Sequence, residues 1–296
     1  MNECRPTLIL SGLHQRSQGI TRRLCTTKEK TDESHTPLPE LISLRNKKAL
    51  ITGSGTGIGE AIAHRFAEAG ANLELVDINE QRLCKVKEDL RKYGVEVGVH
   101  IVNLSEHREI DHLWDRLRGK EPEILVNNAA IYPEKSFLEI DETFLKNVLD
   151  VNLNAVFWMC QHMIRSRQKK GGTIINMGSI EAVMPLKEDM SHYDISKAGV
   201  MVFSRALASQ YGKHGFKINV LVPGGIWTAG TKNLAKEALK LKTSVIKSGI
   251  EYGMRTPLRR MGHPDEVARM ALVLATDLSS YVNGALVVVD GGFLSA

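Results

Sequence analysis

Tyr193 and Lys197 stand four positions apart in the segment Tyr-Asp-Ile-Ser-Lys. On a helix, side chains at this spacing lie on the same face. A phenol normally ionises near pH ~10, but a neighbouring ammonium group favours the phenolate form. We therefore expect Lys197 to lower the pKa of Tyr193. The tyrosine would then accept a proton from an alcohol, or return one to a carbonyl, close to neutral pH.

A serine that could hold the oxygen atom of a substrate precedes this pair. Ser179 follows the apolar run at 173–177, which predicts a buried strand, so its hydroxyl is expected at the carboxyl end of that strand. The Tyr-x-x-x-Lys spacing also occurs by chance on ordinary helix surfaces. Its meaning therefore depends on the elements that position these residues.

A glycine-rich turn links the first predicted strand, at 48–52, to a predicted helix at 58–69. Gly53, Gly57 and Gly59 have the spacing Gly-x-x-x-Gly-x-Gly, with Ile58 between the last two. Glycines let a backbone turn sharply and approach a pyrophosphate, although tight turns also use them for steric reasons alone. A helix N-terminus offers free N–H groups and the positive end of its dipole. Strand, turn and helix together predict a dinucleotide site.

An acidic residue closes the next predicted strand, at 72–76. A carboxylate at Asp77 can accept hydrogen bonds from both hydroxyls of an adenosine ribose. It would repel the 2′-phosphate of NADP, and neither Thr56 nor Ile78 brings a compensating positive charge. We therefore predict NAD as the cofactor, the alternative being a solvated aspartate at the start of a loop.

Short apolar runs alternate with helical stretches from Lys47 to the C-terminus. Most runs are continuously apolar, which is typical of strands covered on both faces. The predicted strands lie at 48–52, 72–76, 95–102, 124–127, 173–177, 217–222 and 285–289, and the predicted helices near 58–69, 79–93, 106–118, 142–168, 193–212 and 264–276. The alternation predicts the α/β class, with a single Rossmann-type doubly wound parallel sheet of about seven strands and helices on both faces.

In seven segments, taken in order, the chain resembles the short-chain dehydrogenase/reductase family over nearly all of residues 47–296. The segments are 52–59, 127–130, 151–153, Ser179, 193–197, 219–228 and 289–292. The resemblance implies that Tyr193 is the general acid/base and that Lys197 lowers its pKa and binds the nicotinamide ribose. It implies that Ser179 steadies the substrate carbonyl and that Asn152 positions a water linking Lys197 to solvent.

The resemblance also implies which residues bind the cofactor. They are Gly53, Gly57, Ile58, Gly59, Asp77, Asn103, Leu104, Asn127, Ala129, Tyr193, Lys197, Pro223, Gly224, Ile226 and Thr228. Two residues depart from the family pattern. Asn103 replaces an aspartate beside the adenine, where its amide can still accept a hydrogen bond, and Ala130 replaces a glycine.

The substrate class stays open at this point. The favoured hypothesis is a 3-oxoacyl-thioester reductase or 3-hydroxyacyl dehydrogenase, since the chain resembles bacterial acyl-carrier reductases and 228–260 holds eight basic and two acidic residues. Asp77 counts against it, because biosynthetic reduction usually uses NADPH. The alternatives are a sugar or polyol (glucose-type) dehydrogenase and a nonenzymatic NAD-sensing module.

The residues expected to form the walls of the substrate pocket are Ile131, Tyr132, Glu181, Met184, His192, Trp227 and Tyr252. A predicted helical lid at 228–256, with Leu234, Ala238 and Leu241 facing the pocket, would cover it.

The composition narrows the class of protein. With 43% hydrophobic and 25% charged residues in 296, the chain is typical of globular proteins. Its apolar runs are shorter than the ~18 residues of a membrane span. The net charge of +5 comes from two local clusters, which argues against nucleic acid. The four cysteines form no Cys-x-x-Cys pair and predict free thiols and no metal site.

The family resemblance implies a homotetramer or homodimer that pairs through the helices near 142–168 and 193–212. Val148, Phe157 and Phe203 are the candidates for burial there. We interpret residues 1–46 as a flexible tail or targeting segment and 47–296 as the dinucleotide-binding catalytic domain. Residues 1–27 carry four arginines and one acid, the composition of an organelle transit peptide. A plain tail predicts a cytoplasmic protein, and a transit peptide predicts a mitochondrial or other organellar one.

Overall fold

A computed structural model describes residues 35–228 and 253–296 of the chain. Among the described residues, no helix has both the length and the apolar character needed to cross a bilayer. The expected transit segment, most of the expected lid with Leu234, Ala238 and Leu241, and the expected wall residue Tyr252 lie outside these ranges.

Seven parallel strands form one sheet, as predicted. They are β1 (Lys48–Thr52), β2 (Asn72–Asp77), β3 (Val97–Ile101), β4 (Ile124–Asn127), β5 (Gly172–Met177), β6 (Phe216–Pro223) and β7 (Leu286–Val289). Their order is β3-β2-β1-β4-β5-β6-β7. The chain therefore winds outward in both directions from β1, and the order reverses between β1 and β4, where ligands bind in open α/β sheets.

Helices cover both faces of the sheet. They are α1 (Leu38–Leu41), α2 (Gly57–Glu68), α3 (Glu80–Leu90), α4 (His107–Arg116), α5 (Glu142–Leu149), α6 (Ala155–Arg167), α7 (Ser191–Tyr211) and α8 (Pro264–Ala275). Side-chain oxygens cap two of them: Asn79 accepts from the N–H of Arg82, and Asp141 from that of Phe144. These caps replace backbone acceptors that a helix N-terminus lacks.

Successive residues of β1 pack into two separate hydrophobic cores on opposite faces of the sheet. Ala49 and Ile51 of β1 pack with α2 and α8 on one face, whereas Leu50 packs with α4, α6 and α7 on the other. All three side chains are fully buried. This explains why the strands are continuously apolar in sequence rather than alternating.

One predicted helix is interrupted. The periodic stretch at 142–168 consists of α5, a π-helical turn at Asp150–Asn154, and α6. A π turn inserts an extra residue into the helix and is frequent at functional sites. Here it turns Asn152 fully into the interior. The strand bounds also shift slightly, since β3 begins at Val97 rather than at 95 and β7 at Leu286 rather than at 285.

The compact unit begins before Lys47. It runs from Leu38 to Ala296. Leu44 is only 1% exposed and joins the core beneath α2, where its N–H donates to the carbonyl of Ala69 at 2.8 Å. A helix of four residues followed by one buried leucine gives no hydrophobic periodicity. Residues 38–46 were therefore predicted to belong to the tail.

The side chains expected at a subunit interface differ in how far they are exposed to solvent. Val148 is fully buried within its own chain and is therefore not an interface residue. Phe157 is 41% exposed and stacks on Phe203, with ring centroids 5.1 Å apart. The oligomeric state stays a prediction.

Candidate active site

The glycine turn is closely packed where β1 meets α2. Gly53 and Gly57 have φ of +62° and +63°, which glycine adopts without strain. A Cβ at Gly59 would lie 2.1 Å from the carbonyl oxygen of Gly53. The N-terminus of α2, with Ile58 and Gly59 in its first turn, therefore sits directly against the turn, with its N–H groups available to an anion.

The segment after β4 braces this turn. The Nδ2 of Asn128 donates to the carbonyls of Thr52 and Gly53 at 3.0 and 3.1 Å, and the N–H of Ala129 donates to the Thr52 hydroxyl at 3.0 Å. The neighbouring amide of Asn127 points inward and donates to Asn176 at 2.8 Å. Asn127 therefore can offer a cofactor its backbone but not its amide.

Asp77 lies beside the turn, at the carboxyl end of β2. Its two carboxylate oxygens accept the N–H groups of Gly55 and Asn79, each at 3.0 Å. A Cβ at Gly55 would lie 2.9 Å from Asp77 Oδ2 and 3.0 Å from the Cβ of Arg82. The main chain of Gly55, the Asp77 carboxylate and the Cβ of Arg82 are therefore packed against one another. The sequence indicated no positive charge at Thr56 or Ile78, but the cap of α3 brings Arg82, three residues beyond Asn79, back toward the turn.

Asn103 and Leu104 follow β3 at the same edge of the sheet. The Oδ1 of Asn103 accepts the N–H and the hydroxyl of Ser105 at 3.2 and 2.9 Å, and the Asn103 N–H donates to Glu109 at 2.6 Å. The expected acceptor for adenine is therefore already engaged, and the amide presents its Nδ2 donor instead. Leu104 is largely buried in the core.

The loop after β6 faces the glycine turn from the other side. Gly224, which follows Pro223, donates its N–H to Val289 at 3.0 Å. Ile226 is only 5% exposed, and its side chain packs into the core shared with α2 and α8. Thr228 lies 3.4 Å from the position of a Cβ at Gly57. A side chain at Gly57 would therefore be in contact with Thr228.

Lys197 is buried beneath the expected catalytic tyrosine. It is 3% exposed, and its ammonium nitrogen donates to the carbonyl oxygen of Met177, the last residue of β5, at 2.8 Å. The same nitrogen lies 5.8 Å from the ring centroid of Tyr193. Burial lowers the pKa of Lys197 to about 8.

The pKa of Tyr193 moves opposite to the expectation. Burial raises it to about 12, and a hydrogen bond with the Ser179 side chain lowers it only in part. Nearby Glu181 raises it further. In the protein alone, desolvation of the phenolate therefore outweighs any help from Lys197, and Tyr193 is a protonated donor at neutral pH.

Ser179 and Asn152 complete the group. Ser179 is 8% exposed just beyond β5, and its hydroxyl accepts the N–H of Glu181 at 3.2 Å. Asn152 exchanges two hydrogen bonds of 2.8 Å with the main chain of Ile131, and its Nδ2 also lies 3.3 Å from the Ser196 hydroxyl. That hydroxyl donates to the Tyr193 carbonyl at 2.7 Å. The structure therefore brings all four expected catalytic residues together, with Asn152 bracing the adjoining loop.

The expected pocket walls separate into lining and structural residues. The ring of Tyr132 contacts Tyr193 edge-on, with centroids 6.3 Å apart, and Trp227 is 40% exposed. His192 is 1% exposed and pairs its Nε2 with the carbonyl of Pro133 at 2.7 Å, so it is structural. The Glu181 carboxylate accepts the N–H of Leu186, and Met184 contacts Arg255.

Asp194 is a residue that the sequence analysis did not single out. Within the described part of the chain its Oδ1 is buried without a hydrogen-bond partner. Burial raises its pKa to about 6, and the charge of Glu181 adds to the effect. Adjacent side chains on a helix point in different directions, so its place directly after Tyr193 gave no signal of this burial in the sequence.

Curated proteins of similar sequence align with most of this chain. The chain is 35% identical to the 3-oxoacyl-[acyl-carrier-protein] reductase of Chlamydia pneumoniae over 254 residues, which are 85% of this chain and 98% of the relative. It is 34% identical to the Aquifex aeolicus protein of the same name over 257 residues, again 85% and 98% of the two chains.

Solved structures of oxidoreductases also superpose on nearly all of the described fold. The L-sorbose reductase of Gluconobacter frateurii, complexed with NADPH and L-sorbose, has a TM-score of 0.81 at 30% identity, covering 86% of this chain and 99% of that one. A protein of Beutenbergia cavernae assigned as an NAD(P)-dependent gluconate 5-dehydrogenase, with NADP bound at low occupancy, has a TM-score of 0.80 at 28% identity, covering 86% and 100%.

A family model described as enoyl-(acyl carrier protein) reductase matches residues 53–294, which span the glycine turn, all four expected catalytic residues and the loop after β6. The chain belongs to the short-chain dehydrogenase/reductase family, whose members bind a nicotinamide cofactor and act on alcohol and keto groups.

Proposed function

We propose that this protein is an NAD(H)-dependent reductase of 3-oxoacyl thioesters, which also oxidises the 3-hydroxyacyl products. The observation that carries the proposal is the buried Lys197 ammonium, held on the Met177 carbonyl beneath Tyr193. A buried cation at this position has no packing advantage, since desolvation disfavours it. We explain its presence by two tasks, which are to stabilise the phenolate of Tyr193 and to bind the cofactor.

The residues around the glycine turn fit a dinucleotide. The φ values of Gly53 and Gly57 and the exclusion of a Cβ at Gly59 let the main chain of the turn come close to a phosphate at the N-terminus of α2. Gly53, Gly57, Ile58 and Gly59 would contact the pyrophosphate, and Asn103 and Leu104 the adenine. Asn127, Ala129, Pro223, Gly224, Ile226 and Thr228 would contact the cofactor mainly through their main chain.

Asp77 supports NAD over NADP. Its carboxylate is oriented by the N–H groups of Gly55 and Asn79 at the edge where the adenosine ribose would lie. A fixed negative charge there repels a 2′-phosphate. The competing cofactor is NADP, which the structural relatives bind, and Arg82, whose Cβ lies beside the turn, brings a positive charge to this edge of the sheet.

Each expected catalytic residue has a stated task. A bound nicotinamide supplies or accepts the hydride. Tyr193 gives its phenolic proton to the carbonyl oxygen of the substrate, or removes a proton from the alcohol. Ser179 donates a hydrogen bond to that same oxygen. Lys197 binds the ribose next to the nicotinamide, and its charge stabilises the phenolate that remains on Tyr193 after proton transfer.

Asn152 is a positioning residue in this proposal. Its two hydrogen bonds to the main chain of Ile131 hold the loop that carries Tyr132 against Tyr193. The Oδ1 of Asn152 has a second lone pair, with which it would accept a hydrogen bond from a water on the path from Lys197 to solvent.

The substrate assignment draws on the relatives that are named 3-oxoacyl-[acyl-carrier-protein] reductases and align over nearly their full length. A sugar or polyol dehydrogenase is the second candidate. It is supported by the L-sorbose reductase and the gluconate dehydrogenase among structural relatives, and by the polar Glu181 near Tyr193. A nonenzymatic NAD sensor would have no use for the complete set of Asn152, Ser179, Tyr193 and Lys197.

The distinguishing experiment is a substrate screen that follows the absorbance of reduced nicotinamide. Short 3-oxoacyl thioesters, L-sorbose, gluconate and glucose are each tested with NAD(H) and with NADP(H). We expect the highest kcat/KM for a thioester with NADH. A preference for sugars would support the second candidate, NADPH preference would overturn the cofactor assignment, and no turnover of any substrate would favour the sensor.

A further inference from the structure

Two histidines and an aspartate form a cluster on the surface between α4 and α6. His107 and Asp111 stand one helical turn apart on α4, and His162 lies on α6. Their ligand-capable atoms all lie within 4.8 Å of one another. The Asp111 Oδ1 is 2.8 Å from His162 Nε2 and 3.5 Å from His107 Nε2. The cluster shares no residue with the candidate active site.

The two separations from Asp111 are close to those of a metal site. Imidazole nitrogens and carboxylate oxygens bind Zn²⁺ at about 2.0–2.2 Å, so neighbouring ligands of a tetrahedral ion lie about 3.4 Å apart. The distance from Asp111 to His107 already has this value. The shorter contact with His162 needs to lengthen by about half an ångström, which a small side-chain rotation provides.

Both imidazole rings are held in place by indole rings. His107 stacks on Trp158, with centroids 4.2 Å apart and planes at 22°, and His162 stacks on Trp114 at 5.7 Å and 8°. Trp114 is itself fixed, since it is 6% exposed and its Nε1 donates to the Met159 sulfur. The ring orientations are therefore largely set before any ligand binds, which reduces the entropy lost on binding.

We propose that His107, Asp111 and His162 bind one divalent transition-metal ion of the Zn²⁺ type. Two imidazoles and one carboxylate suit Zn²⁺, Ni²⁺ or Cu²⁺ and are poor ligands for Mg²⁺, which requires oxygen atoms. Three protein ligands leave further coordination positions to water. His107 is 48% exposed and Asp111 44%, so an ion can enter from solvent.

The ion would fasten two helices that lead to the active site. α4 follows the loop with Asn103 and Leu104, and α6 directly follows the π turn that carries Asn152. Without an ion, the hydrogen bond between Asp111 and His162 is the link within the cluster from α4 to α6. The two helical halves of the site lie 51 positions apart along the chain, which is why the sequence pattern did not reveal it and predicted no metal site.

The test uses the full chain without an affinity tag, treated with a chelator and then dialysed. ZnCl₂ is titrated by calorimetry, and CuCl₂ by tryptophan fluorescence, since Cu²⁺ quenches indoles close to it. The variants are His107→Gln, at the most exposed ligand, and His162→Gln. The matched control is His112→Gln, an exposed histidine of the same helix outside the cluster. Thermal unfolding checks that each variant is folded.

We expect one Zn²⁺ per chain, a midpoint of unfolding raised by several degrees with saturating Zn²⁺, and quenching that saturates at one equivalent of Cu²⁺. His107→Gln and His162→Gln should weaken Zn²⁺ binding at least tenfold, and His112→Gln should leave it unchanged. Absence of saturable binding, or equal binding by wild type and His107→Gln, would overturn the proposal. Equal loss in His112→Gln would also overturn it, because the ion would then bind elsewhere on α4.

Discussion

The Nζ of Lys197 donates a hydrogen bond of 2.8 Å to the carbonyl oxygen of Met177, the residue that ends β5. This contact ties α7 to the edge of the sheet where Ser179 follows β5. Burial at this position keeps the pKa of Lys197 near 8 instead of its ordinary value of 10.5. The lysine therefore loses its charge within the range in which many enzymes are assayed.

The rate of reduction should depend on this titration. Below pH 8 Lys197 is an ammonium and Tyr193, with a pKa of about 12, still carries its proton. As pH rises through about 8, the ammonium is lost and the phenolate formed by proton transfer is no longer stabilised. We expect kcat/KM for reduction to fall through an inflection near pH 8. Lys197→Met should remove that inflection and weaken cofactor binding, and the same inflection in the variant would contradict the assignment.

Cofactor choice should depend on the charge of Asp77. A charged hydrogen bond is worth about 1.5–3 kcal/mol, so Asp77→Ala should weaken NAD binding about 10- to 100-fold and improve NADP binding. Asp77→Asn isolates the effect of charge, since it keeps one oxygen for the neighbouring N–H groups. Arg82→Ala should reduce NADP binding by the Asp77→Ala protein. Fluorescence titration of NADH and NADPH gives all the affinities, and an unchanged ratio in both Asp77 variants would refute NAD selection by the carboxylate.

The close packing of the glycine turn predicts a sharp difference between two glycines. A Cβ at Gly59 would meet the Gly53 carbonyl at 2.1 Å, whereas a Cβ at Gly253 has no neighbour within 4 Å among the residues that the structure describes. Gly59→Ala should lower the free energy of unfolding by about 1–3 kcal/mol and strongly weaken NADH binding, because the turn must open. Gly253→Ala should change neither. Denaturant unfolding and NADH titration measure both effects, and indistinguishable behaviour of the two variants would show that the turn tolerates a side chain.

Asp194 should make stability depend on pH. Its pKa is raised in the folded protein to about 6 from 3.8, so the folded state binds this proton more tightly than the unfolded state. Stability should therefore fall as pH rises through this window, and Asp194→Asn should unfold at a higher temperature than wild type at pH 7.5. The difference should shrink as pH is lowered toward 4. Glu188→Gln, at an exposed carboxylate, is the control, and a gap that stays constant with pH would rule out the titration of Asp194 as its cause.

The architecture followed from the sequence because each strand carries its own signal. Leu50 and Ile51 are both apolar since opposite faces of the sheet are both covered, and the glycines mark the turn that no other residue type accommodates. Features that arise only from packing were not predictable. The π turn at Asn152 has the same periodicity in sequence as an uninterrupted helix, and Leu44 is a single apolar residue after a helix of one turn.

The pKa values of Tyr193 and Lys197 and the contacts around the glycine turn could not be predicted without the folded structure. The spacing of Tyr193 and Lys197 indicated their shared face, but the balance between desolvation and charge depends on how deeply each is buried. Arg82 returns to the glycine turn through the cap at Asn79, and the Asn103 oxygen turns back to Ser105. Neither contact leaves a pattern in the sequence.

Proton transfer by Tyr193 is the central claim, and the kcat of Tyr193→Phe tests it most directly. Tyr132→Phe, which alters the neighbouring ring at 6.3 Å, is the matched control. We predict that Tyr193→Phe lowers kcat about 10²- to 10⁴-fold while NADH affinity changes little, and that Tyr132→Phe remains active. A Tyr193→Phe protein with kcat close to that of the wild type would contradict the account.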